Sequence, residues 1–130
     1  MTAKNVARDQ NHHTDDVLSI ALCPKGMTAV SGQNGSSPTI FKWDACTGEK
    51  MQRIKIGKGA RGIAAVSITE DGWVCAVDMH NEHQVYVYDG DGNCVWKEKG
   101  DTNKIFDCCW DTNTKRFATV GVKHVYFWNG

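Results

Sequence analysis

The sequence predicts an all-β fold, built from a short unit of strands that is repeated three times. Three observations support this prediction. Thirteen glycines stand against two prolines, and five Trp, four Phe and three Tyr are spread along the 130 residues. Short apolar runs alternate with turn residues throughout the chain. No apolar stripe with the 3.6-residue period of a helix extends far enough to predict one.

The first unit contains four predicted strands. Residues that favour turns cluster at 24–26, 33–38 and 47–48, where proline, glycine, asparagine and serine are frequent. Between and after these turns lie four runs, "VLSIAL" (17–22), "MTAVSG" (27–32), "TIFKWD" (39–44) and "MQRIKI" (51–56).

The same order of runs occurs twice more. The second unit contains "GIAAVSI" (62–68), "WVCAV" (73–77), "QVYVYD" (84–89) and "CVWK" (94–97). The third contains "IFDCCW" (105–110), "RFATVG" (116–121) and "HVYFW" (124–128). Two runs of the second unit are almost continuously apolar or small, which is typical of strands whose sheet is covered on both faces.

The spacing of the closing aromatic residues identifies the unit. The last aromatic residues of the third runs are Trp43, Tyr88 and Trp128, and they lie 45 and 40 residues apart. Each is followed by Asp or Asn. Four short strands in about 40–45 residues that close on an aromatic–Asp dipeptide are typical of one blade of a WD-repeat β-propeller. The sequence therefore predicts three consecutive four-stranded blades, a partial propeller.

The predicted blades divide the chain at the links between units. Residues 12–57 form blade one, 58–99 blade two, and 100–130 blade three without an outer strand of its own, while 1–11 form an N-terminal strand or tail. Closed propellers usually have 4–8 blades, so three blades leave two open faces. Three explanations stay open: a fragment of a longer protein, assembly with copies of itself (two chains giving six blades), or pairing with a separate chain. A fragment or a partner-completed chain is favoured.

A set of polar side chains is expected to stabilise each blade. WD repeats often join a His before the first strand, a Ser or Thr on the second, a turn carboxylate and the closing Trp by hydrogen bonds. These bonds matter because a buried polar group without a partner costs ~1–3 kcal/mol. The set is incomplete in every unit, and its candidate members are His13, Ser31 and Trp43 in blade one, Glu82 and Tyr88 in blade two, and Thr119 and Trp128 in blade three. Ser37 stands roughly at the carboxylate position of blade one.

The stretch "DMHNEH" (78–83) raises the question of a metal site. His80 and His83 lie three residues apart with Glu82 between them, and Cys75 lies upstream. A zinc site needs about four ligands in a tetrahedron, and no second pair at ligand spacing occurs elsewhere in the chain. A polar turn between two strands is therefore favoured over a metal site, and no metal or cofactor is expected.

The bulk composition limits the classes of partner. Fifteen basic and fifteen acidic residues give no net charge, which argues against nucleic acid or an anionic membrane as the partner. No apolar run is long enough to cross a bilayer, and the first twenty residues lack a signal-peptide stretch, so an intracellular protein is expected. The six cysteines form no C-x-x-C pair and are expected to be reduced thiols. The adjacent Cys108 and Cys109 are expected to point to opposite faces of a strand.

With these residues in view, the chain resembles the echinoderm microtubule-associated protein-like family, in the early blades of its first propeller. The resemblance spans about 12–128. Five stretches carry it: "HHTDDVLSIALCP", "SGQNGSSPTIFKWDACTGE", "IGKGARGIAAVSI", "CAVDMHNEHQVYVYD" and "TVGVKHVYFW". The resemblance implies binding of tubulin or microtubules, and a location on the cytoskeleton in the cytoplasm, or in a cilium or flagellum.

These observations favour a non-enzymatic scaffold for protein–protein interactions, linked by the resemblance to tubulin. Loops between blade strands commonly carry recognition, so a contact surface is expected at Arg61, Met79, His80, Asn81 and Glu82. Two alternatives stay open. One is a generic WD-repeat adaptor without a tubulin link. The other is a redox or metal module on the cysteines and histidines, which is disfavoured because no Cys–His constellation or catalytic residue is recognisable.

Overall fold

All the regular structure in the described part of the chain is β-strand. The computed structural model describes residues 13–35, 37–56, 60–79, 83–100, 104–111 and 116–129. Within these ranges the chain forms the strands β1 (Val17–Leu22), β2 (Thr28–Gln33), β3 (Thr39–Asp44), β4 (Lys50–Lys55), β5 (Ile63–Ile68), β6 (Val74–Asp78), β7 (Val85–Tyr88), β8 (Cys94–Glu98), β9 (Ile105–Asp111), β10 (Arg116–Gly121) and β11 (His124–Asn129). Every predicted run is a strand whose ends differ by no more than a single residue from the prediction.

The strands form three antiparallel sheets, one for each repeated unit. Blade one has the order β1-β2-β3-β4 and blade two β5-β6-β7-β8, and blade three contains β9-β10-β11 among the described residues. The prediction of consecutive blades is thus confirmed. The divisions at 57/58 and 99/100 stay predictions, and the expected strand or tail at 1–11 lies outside the described residues.

The strand registers align the three blades residue by residue. Trp43 pairs with Ala29 in blade one, Tyr88 pairs with Val74 in blade two, and Trp128 pairs with Phe117 in blade three. Because side chains alternate between the two faces of a strand, this alignment also shows which side chains of each blade point the same way. In blades two and three the closing aromatic points towards the preceding blade: Tyr88 packs in the cluster shared with blade one, and Trp128 packs against the cluster shared with blade two.

Blade two is packed between the other two blades. Its first strand, β5, contacts β1 of blade one and β9 of blade three. Every residue of β6 and β7 is buried, in agreement with the continuous apolar runs in the sequence. One hydrophobic cluster joins blades one and two through Val30 and Ile40 against Val66 and Ile68. A second joins blades two and three, and its aromatic centre is Phe117.

The junction between blades one and two is also held by polar contacts. The Ser19 hydroxyl donates to the carbonyl of Ile63 over 3.0 Å. The buried Lys42 side chain crosses to blade two, where Nζ lies 2.9 Å from the Gly72 carbonyl oxygen and 3.4 Å from that of Gly90. Burial lowers the pKa of Lys42, while Asp89 and Asp91 partly oppose that shift. Lys42 therefore acts as a second polar link across this junction.

Glycine at position 32 allows the two blades to approach closely. A Cβ atom there would lie 2.5 Å from Cγ2 of Ile63, which is shorter than any relaxed contact between carbon atoms. Ile63 itself is fully buried. The backbone of β2 therefore packs directly against the first strand of blade two.

The cysteines are free thiols that differ in exposure. None of the six forms a disulfide bond. Cys23, Cys75 and Cys108 are buried, and the other three are exposed. The buried Cys108 and the exposed Cys109 point to opposite faces of β9, as predicted. The described residues contain no helix long and apolar enough to cross a lipid bilayer.

Candidate interaction surface

In blade one the three predicted polar residues form a continuous chain of hydrogen bonds. Trp43 Nε1 donates to Ser31 Oγ over 2.7 Å, and Ser31 Oγ lies 2.6 Å from His13 Nε2. The second imidazole nitrogen, Nδ1, lies 2.8 Å from Oε1 of Gln33. The backbone N–H of Thr14 also points at Gln33 Oε1, so that atom is an acceptor. His13 therefore donates from Nδ1 and accepts the Ser31 proton at Nε2.

Gln33 was not singled out in the sequence, although it completes this chain. Ser37, which stands roughly at the turn carboxylate position, is exposed in the structure. The partner of His13 comes instead from the last residue of β2, only two residues beyond Ser31 on the same face of the strand. A polar residue two positions after Ser31 was the feature of the sequence that could have identified Gln33 as this partner.

Blades two and three carry different versions of the same arrangement. In blade three Trp128 Nε1 donates to Thr119 Oγ1 over 3.0 Å. In blade two Tyr88 replaces the tryptophan, and the strand register places Ala76 where Ser31 and Thr119 stand in the other blades. The indole N–H donor and the Ser or Thr hydroxyl acceptor of this bond are therefore lost together in blade two.

Blade two instead contains a polar network that the sequence did not reveal. The buried Asp78 accepts the Tyr86 hydroxyl at 2.8 Å and the Gln84 backbone N–H at 2.9 Å. Burial raises the pKa of Tyr86, and the hydrogen bond to Asp78 adds to that shift. The predicted Glu82 lies outside the described residues. An acidic residue directly after the buried run "VCAV" was the signal for this network, since a buried carboxylate requires partners.

The Asp of the aromatic–Asp dipeptide closes the turn that follows it. Asp44 Oδ1 accepts the backbone N–H groups of Cys46 at 2.8 Å and Thr47 at 3.0 Å. Asp89 Oδ1 does the same for Asp91 at 2.9 Å and Asn93 at 3.0 Å. The dipeptide therefore combines a packing aromatic with a turn-forming carboxylate.

These turn carboxylates are expected to make the fold less stable at acid pH. Hydrogen bonds from Thr47 and Cys46 lower the pKa of Asp44, and the bond from Asn93 lowers that of Asp89. A carboxyl group whose folded pKa is depressed stabilises the fold above its unfolded pKa of about 3.9, and this stabilisation is lost as the pH falls through the folded pKa. We expect the melting temperature to fall between about pH 5 and pH 3, and to fall less steeply in the double variant Asp44→Asn/Asp89→Asn.

Thermal unfolding followed by circular dichroism at several pH values measures this slope. Glu98→Gln, on the outer strand β8, is the control because it removes an exposed carboxyl group but leaves both turns intact. An unchanged slope in the double variant would show that these two turns do not carry the acid sensitivity.

At the other end of the blades the structure brings two of the predicted contact residues together. The backbone N–H of Met79 lies within hydrogen-bond distance of two carbonyl oxygens, 3.0 Å from Ala60 and 2.9 Å from Gly62. Arg61, between them, is exposed and has a φ of 61°. Its carbonyl accepts the backbone N–H of Gly35 over 3.2 Å. Arg61 and the exposed Met79 thus lie on one ridge at the junction of blades one and two.

The ridge continues onto blade one. Asn34 forms an isolated β-bridge with Gly62, and the Asp15 carboxylate lies over Gly35. We name the surface formed by Asp15, Asn34, Arg61 and Met79 the loop ridge. His80, Asn81 and Glu82, the other predicted contact residues, follow Met79 in the chain and lie outside the described residues.

The stretch that raised the metal question is only partly described. Cys75 is fully buried in β6, and burial raises its pKa well above that of a free thiol, with a further contribution from Cys108. His80 and Glu82 lie outside the described residues, so the choice between a polar turn and a metal site at His80 and His83 stays a prediction. In the described ranges no three His, Cys, Asp or Glu residues lie together in a way that could hold a metal ion.

The chain is similar to several proteins of one kind. It is 39% identical over 132 residues to the ciliary WD repeat-containing protein ctxp80 of Euplotoides octocarinatus, a match covering 98% of this chain and 18% of that protein. It is 30% identical to echinoderm microtubule-associated protein-like 3 of Homo sapiens, covering 94% of the chain and 15% of that protein. The 77 kDa echinoderm microtubule-associated protein of Strongylocentrotus purpuratus is 28% identical, at 94% and 20% coverage.

Solved structures agree on the fold. The crystal structure of the RRP9 WD40 repeats matches with a TM-score of 0.74 at 15% identity, over 90% of this chain and 36% of that one. The structure of U3-55K matches with a TM-score of 0.73, also at 15% identity, over 90% and 37%. No protein-family model matches the chain.

The curated relatives are much longer than this chain, which spans between 15% and 20% of the three named here. Within that span the likeness covers nearly every residue, and the blades predicted from the repeat are the blades observed. Over nearly its whole length the chain is therefore similar to WD-repeat proteins of the echinoderm microtubule-associated protein-like family.

Proposed function

We propose that the chain is a non-enzymatic interaction module that contacts tubulin or microtubules. The observation that carries this proposal is the likeness, over almost the whole chain, to relatives named as microtubule-associated and ciliary proteins. The same names support a proposed place on the cytoskeleton, including the cilium. Neither nucleic acid nor membrane is proposed as a partner, because the chain has no net charge.

The loop ridge is the part of the described surface best suited to a protein contact. Exposed loops on a rigid scaffold commonly carry recognition. Arg is enriched in protein interfaces and Met adapts its shape to a partner, and the ridge presents Arg61 and Met79 side by side. The main-chain bonds of Met79 to both sides of Arg61 fix the two residues relative to each other. An exposed arginine on a backbone fixed in this way suits an acidic protein surface.

The buried thiols of Cys75 and Cys108 support a scaffold over a redox enzyme. A reactive cysteine needs a lowered pKa and access to solvent. Cys75 has the opposite properties, because it is fully buried and its pKa is raised. Cys108 is buried against it, with its thiol 3.9 Å from the Cys75 carbonyl oxygen. These two cysteines are therefore assigned to packing between blades two and three.

The test is co-sedimentation with stabilised microtubules, together with pull-down of free tubulin dimers. We expect the unaltered chain to bind one of the two, and Arg61→Glu to weaken that binding roughly tenfold, which corresponds to ~1.4 kcal/mol. Arg116→Glu is the matched control, since Arg116 is also exposed but lies at the opposite end of its blade. We expect it to bind like the unaltered chain.

Two results would contradict parts of this proposal. If the unaltered chain binds neither microtubules nor tubulin dimers, the generic adaptor becomes the better assignment. If both charge reversals weaken binding equally, the contact is a general electrostatic one and the loop ridge is not the site.

A further inference from the structure

A polar cavity of about 340 Å³ lies between blades one and two, at the end of the blades opposite to the loop ridge. Strand β2 runs from Thr28 at this cavity to Gln33, next to Asn34 of the ridge. Both walls of the cavity belong to four-stranded sheets that the structure describes, so it is a feature of the junction between these two blades. We name it the junction groove, formed by Lys42, Met51, Gln52, Glu70, Asp71 and Gly72.

Lys42 shows which kind of chemical group the junction groove accepts. Its Nζ atom lies 2.9 Å from the carbonyl oxygen of Gly72 and 3.4 Å from that of Gly90. An ammonium group has three N–H donors and no acceptor. A cation that belongs to the chain therefore already binds two acceptors of the groove. A second cation with N–H donors suits the acceptors that remain.

Gln52 supplies one of these remaining acceptors. Its Oε1 atom is buried and has no hydrogen-bond partner among the described residues, which is unfavourable for a carbonyl group. The side chain reaches blade two, where a Cβ atom at Gly92 would lie 2.7 Å from Nε2 and 3.3 Å from Oε1. The last torsion of a glutamine side chain has no sharp preference, so a rotation there can present Oε1 to a donor in the groove.

Negative charge predominates around the junction groove. Four carboxylates lie in it or close enough to act on the charge of Lys42: Glu70, Asp71, Asp89 and Asp91. Among the described residues two ammonium groups oppose them, Lys42 and Lys25, whose Nζ is 3.7 Å from the Glu70 carboxylate. Lys50 and Arg53 of β4 lie over the ring of Phe41, on the other face of the sheet. The excess of carboxylates attracts a basic ligand.

Met51 gives the groove an apolar wall. Lys42 pairs with Gln52 whereas Trp43 pairs with Lys50, so Met51 is the extra residue of a β-bulge. Its side chain is 56% exposed, and a thioether adapts its shape to a partner. Arginine and lysine side chains pack their alkyl stems on apolar surface while their charged heads stay in polar surroundings. The groove therefore matches both parts of a long basic side chain.

We propose that the junction groove binds an arginine or lysine side chain of a flexible basic peptide in a partner protein. The alkyl stem packs against Met51, and the charged head donates to the Asp71 carboxylate and to Gln52 Oε1. Arginine suits the site better than lysine, because its planar guanidinium donates to several acceptors at once. The carboxylates of Asp89 and Asp91 attract further basic residues of the same peptide. This proposal goes beyond the proposed function and does not rest on it.

The junction groove and the loop ridge suit partners of opposite charge. The ridge presents the exposed Arg61, which suits an acidic surface, and the groove presents the exposed carboxylates of Glu70 and Asp71. Because the two sites lie at opposite ends of β2, a partner at one end does not cover the other. The chain can therefore hold an acidic and a basic partner together.

Fluorescence anisotropy with a labelled peptide tests the proposal. The probe is a fluorescein-labelled decapeptide of alternating Gly and Arg, and the comparison is the decapeptide of alternating Gly and Glu. A salt concentration of about 0.15 M limits attraction between distant charges, because the Debye length is then about 8 Å. We expect saturable binding of the Gly–Arg peptide, and binding of the Gly–Glu peptide that is weaker by about tenfold or more.

Two substitutions in the groove separate its charge from its hydrogen bonds. Asp71→Lys reverses an exposed charge and should weaken binding of the Gly–Arg peptide about tenfold. Gln52→Met keeps the net charge but removes Oε1, and should weaken binding about threefold. Because Oε1 has no partner in the free chain, Gln52→Met should not lower the melting temperature. Glu98→Lys, at an exposed position on the outer strand β8, is the matched control and should change binding by less than about twofold.

Three results would overturn the proposal: equal binding of the two peptides, equal losses in Asp71→Lys and Glu98→Lys, or unchanged binding in Gln52→Met. Circular dichroism of each variant shows whether a loss of binding is a loss of fold. Arg61→Glu should bind the Gly–Arg peptide like the unaltered chain. Tubulin binding by a chain that does not bind this peptide would leave the proposed function standing while the groove proposal fails.

Discussion

Replacement of Phe117 by alanine is expected to lower the free energy of unfolding by about 3–5 kcal/mol, the usual cost of removing a buried aromatic ring from a core. Phe117 is 2% exposed, and its ring centroid lies 5.1 Å from that of Trp110, 5.9 Å from Trp96 and 6.1 Å from Trp128. Trp96 belongs to blade two and the others to blade three, so the ring joins two blades. Urea denaturation followed by circular dichroism measures the loss.

Two further variants show whether the cost arises from the ring at this position. Phe117→Leu keeps most of the apolar volume and should cost less than about 1.5 kcal/mol. Met27→Ala, at a residue 63% exposed, should stay within about 0.5 kcal/mol of the unaltered chain. If Phe117→Ala is no more harmful than Met27→Ala, the aromatic cluster does not hold blade three on blade two.

The strands were predictable because their signals are local. Turn residues such as Gly26, Gly72 and Gly92 adopt positive φ angles, which glycine tolerates at no steric cost, and they stand between apolar runs. The continuous runs of blade two predicted burial on both faces, and β6 and β7 are fully buried. These features require no knowledge of which strands are neighbours across a junction.

The polar contacts were less predictable because they depend on register and on packing between blades. A shift of one residue moves a side chain to the opposite face of its strand, so the pairing of Ala76 opposite Tyr86 could not be fixed from sequence spacing. Lys42 stands in an apolar strand between Phe41 and Trp43. Its burial becomes understandable only when the carbonyl groups of blade two are seen beside it.

The arrangement of the predicted contact residues was also not predictable from the sequence. Arg61 and Met79 are separated by most of a hairpin in the sequence, and nothing local predicts that the Met79 N–H reaches the carbonyls on either side of Arg61. Loop composition identified them as accessible. Their arrangement as one ridge at the junction with blade one results from how blades one and two meet.

Replacement of Ser31 by alanine is expected to cost about 2–4 kcal/mol, although it removes only one oxygen atom. The hydroxyl accepts a hydrogen bond from the Trp43 N–H and donates one to His13 Nε2, and all three residues are buried. The substitution leaves two buried polar groups without this partner, and each such group costs ~1–3 kcal/mol. Equilibrium unfolding in urea measures the effect. Thr47→Ala, in the exposed turn, is the control and should change the free energy of unfolding by no more than about 0.5 kcal/mol.

A double-mutant cycle with Trp43→Phe separates loss of the bond from loss of the side chain. Phenylalanine has no ring N–H, so Ser31→Ala should cost less in the Trp43→Phe background than in the unaltered chain, by about 1 kcal/mol. Additive costs would mean that the bond between Trp43 and Ser31 contributes nothing. Blade two supplies a natural precedent for the double replacement, since Ala76 and Tyr88 occupy the same two positions and the blade still packs with both faces buried.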